Sequence, residues 1–215
     1  MSVNKEAVLR AIAEAKENSK KRNFKQSMEL ILNLRDIDLK RPENRINELV
    51  EFPHPPKEDV RVAVFATGDL ALRARNAGAD RVLEREDFDL AKDKKTAKRL
   101  VKETDFFLAE TTLMATVGKL LGPILGPRGK MPTPIPPTAP IEEIIDRHRR
   151  MVRLRVHNKL VTQCRVGTED MADDLLAENI QTVFKRFEEK LAKGLKNIRS
   201  AYLKTSMGTP ARIEL

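Results

Sequence analysis

Two changes of hydrophobic rhythm, one near Pro53 and one near Met151, constrain this chain more than any other feature. Before the first, apolar residues alternate. In KQSMELILNL, Met28, Leu30, Leu32 and Leu34 share one face of an extended segment, while Ser27, Glu29, Ile31 and Asn33 share the other. That is the pattern of a strand buried on one side only. Between the two changes, VRVAVFATG is a nearly continuous apolar run ending in a turn glycine, which suits a strand buried on both faces. The segments DLALRARNAGAD (helix), RVLE (strand), DLAKDKKTAKRLVKET (helix) and DFFLAE (strand) follow, and APIEEIIDRHRRM reads as a further helix. Strand and helix alternate, as in a parallel α/β unit.

After Met151 the first style returns. RLRVHNKLVTQCRVG reads as a hairpin-like pair, and IRSAYLKTSMG and ARIEL as closing strands. Between them lies a long helix with Leu176, Ile180, Val183, Phe184, Phe187 and Leu191 on one stripe, which is core. At the N-terminus Val8, Leu9, Ile12 and Ala15 mark a helix, and a second strand lies near INELVEF after the loop KRPENR. Neither end has enough elements to close a core alone. The expected architecture is an α+β domain split between residues 1–59 and 151–215, with an α/β domain inserted at 60–150. PHPPKED is a stiff connector, and two chain crossings permit hinge motion while restricting twist.

Lys and Arg number 41 against 32 Asp and Glu, a net charge of +9, which favours polyanions such as RNA, DNA or acidic lipid. No apolar run approaches the length of a bilayer span, and the N-terminus lacks the apolar core of a secretory signal. Cys164 is alone, which suits a reducing compartment. Its strand-like surroundings make it a small buried residue rather than a nucleophile. The expectation is a cytoplasmic protein without a membrane partner. Aromatic residues are 4% of the chain, too few for serial base stacking. If the chain binds nucleic acid, contacts through shape, backbone and ribose should dominate.

The stretch LGPILGPRGKMPTPIPP, Leu121–Pro137, tests the nucleotide alternatives. A phosphate loop needs a leading glycine where Ile124 stands and a hydroxyl where Met131 follows Gly129-Lys130. The glycines Gly122, Gly126 and Gly129 also miss the dinucleotide spacing. His54, His148 and His157 stand far apart, no Cys/His metal spacing occurs, and no catalytic constellation is visible. No metal, cofactor or catalytic residue is expected. Seven of the 12 prolines lie from Pro123 to Pro140. The stretch reads as an extended, rather rigid loop with Arg128 and Lys130 as its cations, suited to docking on RNA backbone or on a neighbouring domain, or else as a connector lying on its own domain. A nucleotide-dependent enzyme and a DNA-binding regulator stay open as alternatives.

GKLLGPILGPRGKMPTP resembles the signature of the large-subunit ribosomal protein family conventionally numbered one, the mobile-stalk protein beside the tRNA exit site. RNFKQSMELILNL resembles that family's first RNA-binding strand, RPENRI the loop after it and TSMG its C-terminal motif; the wording is of the archaeal type. The resemblance covers nearly the whole chain. It implies a split α+β domain that binds large-subunit ribosomal RNA and an inserted Rossmann-like domain. It also implies proximity to exit-site tRNA, repression of the protein's own mRNA in many members, and no enzymatic activity. The carried-over contacts are Asn23, Phe24, Ser27 and Glu29, then Thr205, Ser206, Met207 and Gly208, with Arg45 in the loop. The basic cluster Lys20, Lys21, Arg22 and Lys25 stands beside them. Phe24 would touch ribose or base, and Ser27 and Glu29 would bond ribose 2′-hydroxyls. Gly208 would let the RNA backbone approach. Gly126, Pro127, Arg128, Gly129, Lys130, Met131 and Pro132 form the signature loop of the second domain. Two departures stand out: SMGTP is one residue longer than the Met-Gly-Pro of many members, and Asn23 replaces a frequent lysine.

Overall fold

The computed structural model describes residues 3–39, 41, 46–91, 93–156 and 159–215. The chain divides into two compact units, one made of Met1–Lys57 with Arg150–Leu215, the other of Glu58–Arg149.

In the first unit, α1 (Lys5–Glu17) starts at Asn4, whose side chain accepts from the Glu6 N–H at 3.0 Å. A sheet runs in the order β10 (Ala211–Ile213), β9 (Ile198–Thr205), β1 (Ser27–Leu34), β8 (Val161–Thr168), all antiparallel. The alternation of β1 decides which face is dry: Met28, Leu30, Leu32 and Leu34 are buried against α1 and α6 (Asp173–Lys190). Among the described residues of this unit no helix covers the other face, and Glu29, Ile31 and Asn33 stay half-exposed. A separate ribbon pairs β2 (Asn47–Glu51) with β7 (Met151–Arg155). It is pinned to α6 through Glu48, which meets Lys190 at 2.6 Å and Arg186 at 2.7 Å. The Lys190 and then the Arg186 hydrogen bonds hold the Glu48 carboxyl below its ordinary range against some burial.

The second unit is a parallel sheet in the order β4 (Arg81–Leu83), β3 (Val62–Phe65), β5 (Phe106–Glu110), β6 (Thr133–Ile135). β3 is buried at every position, as its unbroken apolar run requires. One face packs on α2 (Gly68–Asn76) and α5 (Ile141–Arg149), the other on α3 (Lys94–Glu103) and α4 (Met114–Leu125). Phe65 stacks on Phe107 with ring centroids 5.8 Å apart.

Three sequence expectations change here. The hairpin-like pair after Met151 is no hairpin: β7 pairs with β2 and β8 with β1, in different sheets. The helix expected from Asp89 starts instead at Lys94. Asp93 takes the N-cap, accepting from Lys95 N and Thr96 N at 3.1 Å each, and the preceding residues form a 3₁₀ turn, Arg85–Ala91. The stretch Leu121–Pro137 is no extended loop. It begins inside α4, which carries Pro123. The helix is then closed by Lys130 N bonding Leu125 O at 3.0 Å and Gly129 N bonding Gly126 O at 2.9 Å. Gly129 sits at φ +67°, the left-handed residue that a Schellman closure requires. The remainder forms β6, the sheet edge, where Pro134 lacks only an N–H that an edge strand can spare.

Candidate nucleic-acid interface

Three segments of the first unit meet at Gln26: the loop between α1 and β1, the turn after β8 and the turn after β9. Gln26 is fully buried. Its amide donates to Ser19 Oγ at 2.9 Å, Lys20 O at 3.1 Å and Glu169 Oε2 at 3.0 Å, and its carbonyl accepts from Met207 N at 3.1 Å. Its backbone N–H donates to Glu169 Oε1 at 2.9 Å, and its C=O accepts from Glu169 N at 3.0 Å. A second clasp joins β1 to the C-terminal motif. Ser27 N donates to Ser206 Oγ at 3.1 Å, and Ser206 N to Ser27 O at 3.0 Å.

This scaffold presents two large apolar side chains to solvent, Phe24 at 53% and Met207 at 61% exposure. Most other phenylalanines lie in a core, so a function other than packing is called for. Lys20, Lys21, Arg22 and Asn23 are exposed in the same loop. Lys25 is committed locally, to Asp170 at 2.6 Å. That bond, with help from Thr168, draws the Asp170 carboxyl down to about 2.

Ser27 and Glu29 lie side by side on the open face of β1. A bulge between Met28 and Glu29 skips a residue of β8 and sets Arg165 opposite Glu29. On its other side Glu29 is opposite Lys204. Glu29 forms no ion pair with either among the described residues, so its oxygens keep acceptor capacity between two cations. Arg165 also donates to the Ser27 hydroxyl. Tyr202, opposite Ile31, extends the same face. Sequence reasoning missed Arg165, Lys204, Tyr202 and Gln26. The register that sets the first three around β1 depends on pairings more than 130 residues distant and on a bulge that no local pattern marks.

Two assigned residues change role. Thr205 is not on the surface: it is fully buried, with its hydroxyl 2.9 Å from Ser19 Oγ. It lies on the inward-facing positions of β9 that Leu203 and Ala201 also occupy. Gly208 answers to Thr205 before any RNA: a Cβ there would come within 2.3 Å of Thr205 Oγ1. Arg45 lies outside the described residues. Cys164 is buried beneath this face, and burial, then the Glu29 charge, pushes its thiol up to about 12; it is not a nucleophile at neutral pH.

In the second unit the signature loop turns inward. Lys130 Nζ donates to Val101 O at 3.0 Å and Thr104 O at 2.5 Å, capping the last carbonyls of α3. Arg128 donates to Lys98 O at 3.2 Å. Both cations bond carbonyls of their own unit, as the reading of the stretch as a connector on its own domain requires. The carboxyl ends of β3 and β5 flank the point where strand order reverses, the usual nucleotide crevice of such sheets. Glu110 fills it, accepting from Thr112 Oγ1 at 2.5 Å, Thr67 Oγ1 at 3.0 Å and Thr67 N at 3.1 Å. The Thr112 bond, then those from Thr67, holds its carboxyl below the usual range. The anion faces where a phosphate would sit and uses an N–H at the start of α2 that would bind it. This disfavours the nucleotide-enzyme alternative on electrostatic grounds. Among the described residues no cluster of His, Cys, Asp or Glu could hold a metal ion, and no helix is long and apolar enough to cross a membrane.

A profile described as the ribosomal protein L1p/L10e family matches residues 14–209. The chain is 45% identical to the large ribosomal subunit protein uL1 of Methanothermobacter thermautotrophicus, covering 96% of this chain and 98% of that one. It is 46% identical to the protein of the same name from Hyperthermus butylicus, covering 99% and 98%. The Pyrococcus horikoshii counterpart is 44% identical, covering 100% and 98%.

Proposed function

This chain belongs to the ribosomal protein L1p/L10e family, and from that premise we propose that it is a structural constituent of the large ribosomal subunit that binds large-subunit ribosomal RNA. The binding domain is the split one, 1–59 with 151–215, and 60–150 is an inserted α/β domain. The observation that carries this reading is the helix-free face of β1. There Glu29 stands between Arg165 and Lys204, beside exposed Phe24 and Met207. Cations alone would serve any polyanion. A carboxylate among them would weaken attraction to phosphate and is useful only toward hydrogen-bond donors, of which ribose 2′-hydroxyls are the set peculiar to RNA. The relatives are named for a place in the large subunit, not for a reaction, and no catalytic role is part of this reading.

The finer assignment is to the mobile stalk near the tRNA exit site, in the cytoplasm, where the protein aids release of deacylated tRNA. The same face represses translation of the protein's own mRNA when that message folds like the ribosomal site. The family resemblance supports both. The test is competition at fixed salt between large-subunit ribosomal RNA, its DNA counterpart, exit-site tRNA and the protein's own mRNA leader. Preference for ribosomal RNA over DNA by at least about 5-fold, the worth of one hydrogen bond, is expected. Equal binding to DNA would refute the ribose reading and revive the DNA regulator.

A further inference from the structure

The second unit carries a basic surface remote in sequence from every contact on β1. α3 buries Ala97 and Val101 and turns Lys94, Lys95, Lys98, Arg99 and Lys102 to solvent. Arg99 has an acid partner, Glu103 at 2.8 Å. Lys94, Lys95, Lys98 and Lys102 form no ion pair among the described residues. Arg128, anchored by one guanidinium nitrogen on Lys98 O and itself exposed, adds a fifth cation without an acid.

This arrangement works against the helix that carries it. Lys94 with Lys98, Lys95 with Arg99, and Lys98 with Lys102 are like-charged neighbours four residues apart, each unfavourable in isolation. Lys94 and Lys95 oppose the dipole at the N-terminal end, where the first turn holds no acid and the N-cap Asp93 is the one carboxylate. Lys94 to Lys102 spans about 12 Å of helix axis at a rise of about 1.5 Å per residue, roughly one Debye length at 0.1 M salt, so the cations act as one field. No aromatic ring stands on this face of α3. The flexible lysine stems offer point charges, which neutralise phosphates without reading bases.

We propose that this face of α3, with Arg128, is a second contact for large-subunit ribosomal RNA, gripping its phosphate backbone. The inference rests on the reading that this chain binds that RNA. A constituent of the subunit stays beside ribosomal RNA continuously, and a row of lysines without ion pairs, whose acids are limited to the N-cap Asp93 and the arginine-paired Glu103, is complementary to such a polyanion.

The test uses the full chain. K94Q/K98Q/K102Q is compared with K159Q/K185Q/K196Q, which removes the same charge from exposed lysines of the other unit. Gln is a good helix former, and far-UV circular dichroism checks that both variants fold. Affinity for large-subunit ribosomal RNA and for tRNA is measured from 50 to 200 mM salt. Each lost phosphate contact flattens the log–log slope by about 0.7–0.9. The α3 variant is expected to lose about two units of slope on ribosomal RNA, the scattered variant less than about one. Equal slope changes in the two variants overturn the proposal, as does a loss confined to tRNA. Absence of ribosomal RNA binding by the unaltered chain overturns the function proposed for β1, and the α3 contact with it.

Discussion

Replacing Gln26 by leucine isolates the clasp that shapes the β1 surface. The change keeps the volume and deletes four side-chain hydrogen bonds, to Ser19, Lys20, Glu169 and Met207. At about 0.5–1.5 kcal/mol each the gross loss is about 2–6 kcal/mol, and the apolar surface that leucine buries in exchange offsets about 1–2 kcal/mol. The net expectation is a loss of about 3 kcal/mol. The chain has one tyrosine and no tryptophan, and Tyr202 lies on β9 in the same sheet as β1. Tyrosine fluorescence during urea unfolding therefore reports on the first unit. With a dependence of about 1–3 kcal/mol per molar urea, the midpoint should fall by at least about 1 M. At low urea, where the variant is still folded, RNA affinity should fall too, because Phe24 and Met207 lose their common tether. Glu169→Ala should couple to Gln26→Leu by about 1 kcal/mol or more in a double-mutant cycle. A midpoint shift below about 0.3 M, or strict additivity with Glu169→Ala, would refute the clasp.

Three further outcomes are expected. Glu29→Ala should weaken cognate ribosomal RNA binding by about 1–3 kcal/mol with an unchanged salt slope, although it removes a negative charge. Cognate binding as tight as the parent's, measured beside a scrambled RNA, would make Glu29 a solvated strand residue. Gly208→Ala should cost about 1–3 kcal/mol through overpacking on the Thr205 hydroxyl, and Thr205→Ala should relieve part of it in urea titrations of the double variant. Asp170, drawn from an ordinary 3.8 to about 2 by Lys25 and Thr168, contributes stability that is fully present above 3.8 and is lost as pH falls toward about 2. Its carboxyl resonance should titrate near 2, and Lys25→Ala should return it toward 3.8.

The rhythm of apolar residues made much of the architecture legible. The alternation through Met28 to Leu34 and the unbroken run through Val62 to Phe65 named a half-wet and a dry strand, since burial acts on each residue locally. α4 escaped notice because Gly118, Gly122 and Pro123 disguise a helix whose apolar face, Val117, Leu121 and Leu125, only packing completes. At the candidate site, Phe24 and Glu29 came from the family resemblance, and the basic, polar stretch around Phe24 also set that ring apart. Arg165, Lys204 and Tyr202 were not legible, since only strand register makes them neighbours of β1. Thr205 was misjudged for the reason that the motif names residues in sequence, whereas a strand sends every second one inward.

The closure at Gly129 changes what a motif search detects in this family. Gly129 ends α4, and Lys130 ends α3, so the most recognisable words of the sequence record how the inserted unit folds. They carry no information about the β1 surface in the other unit. A paralogue that kept GPRGK and exchanged Glu29, Phe24 and Met207 would still be recognised as kin and would still fold. It would be free to bind something else, and sorting such chains by partner requires reading the quieter residues around β1.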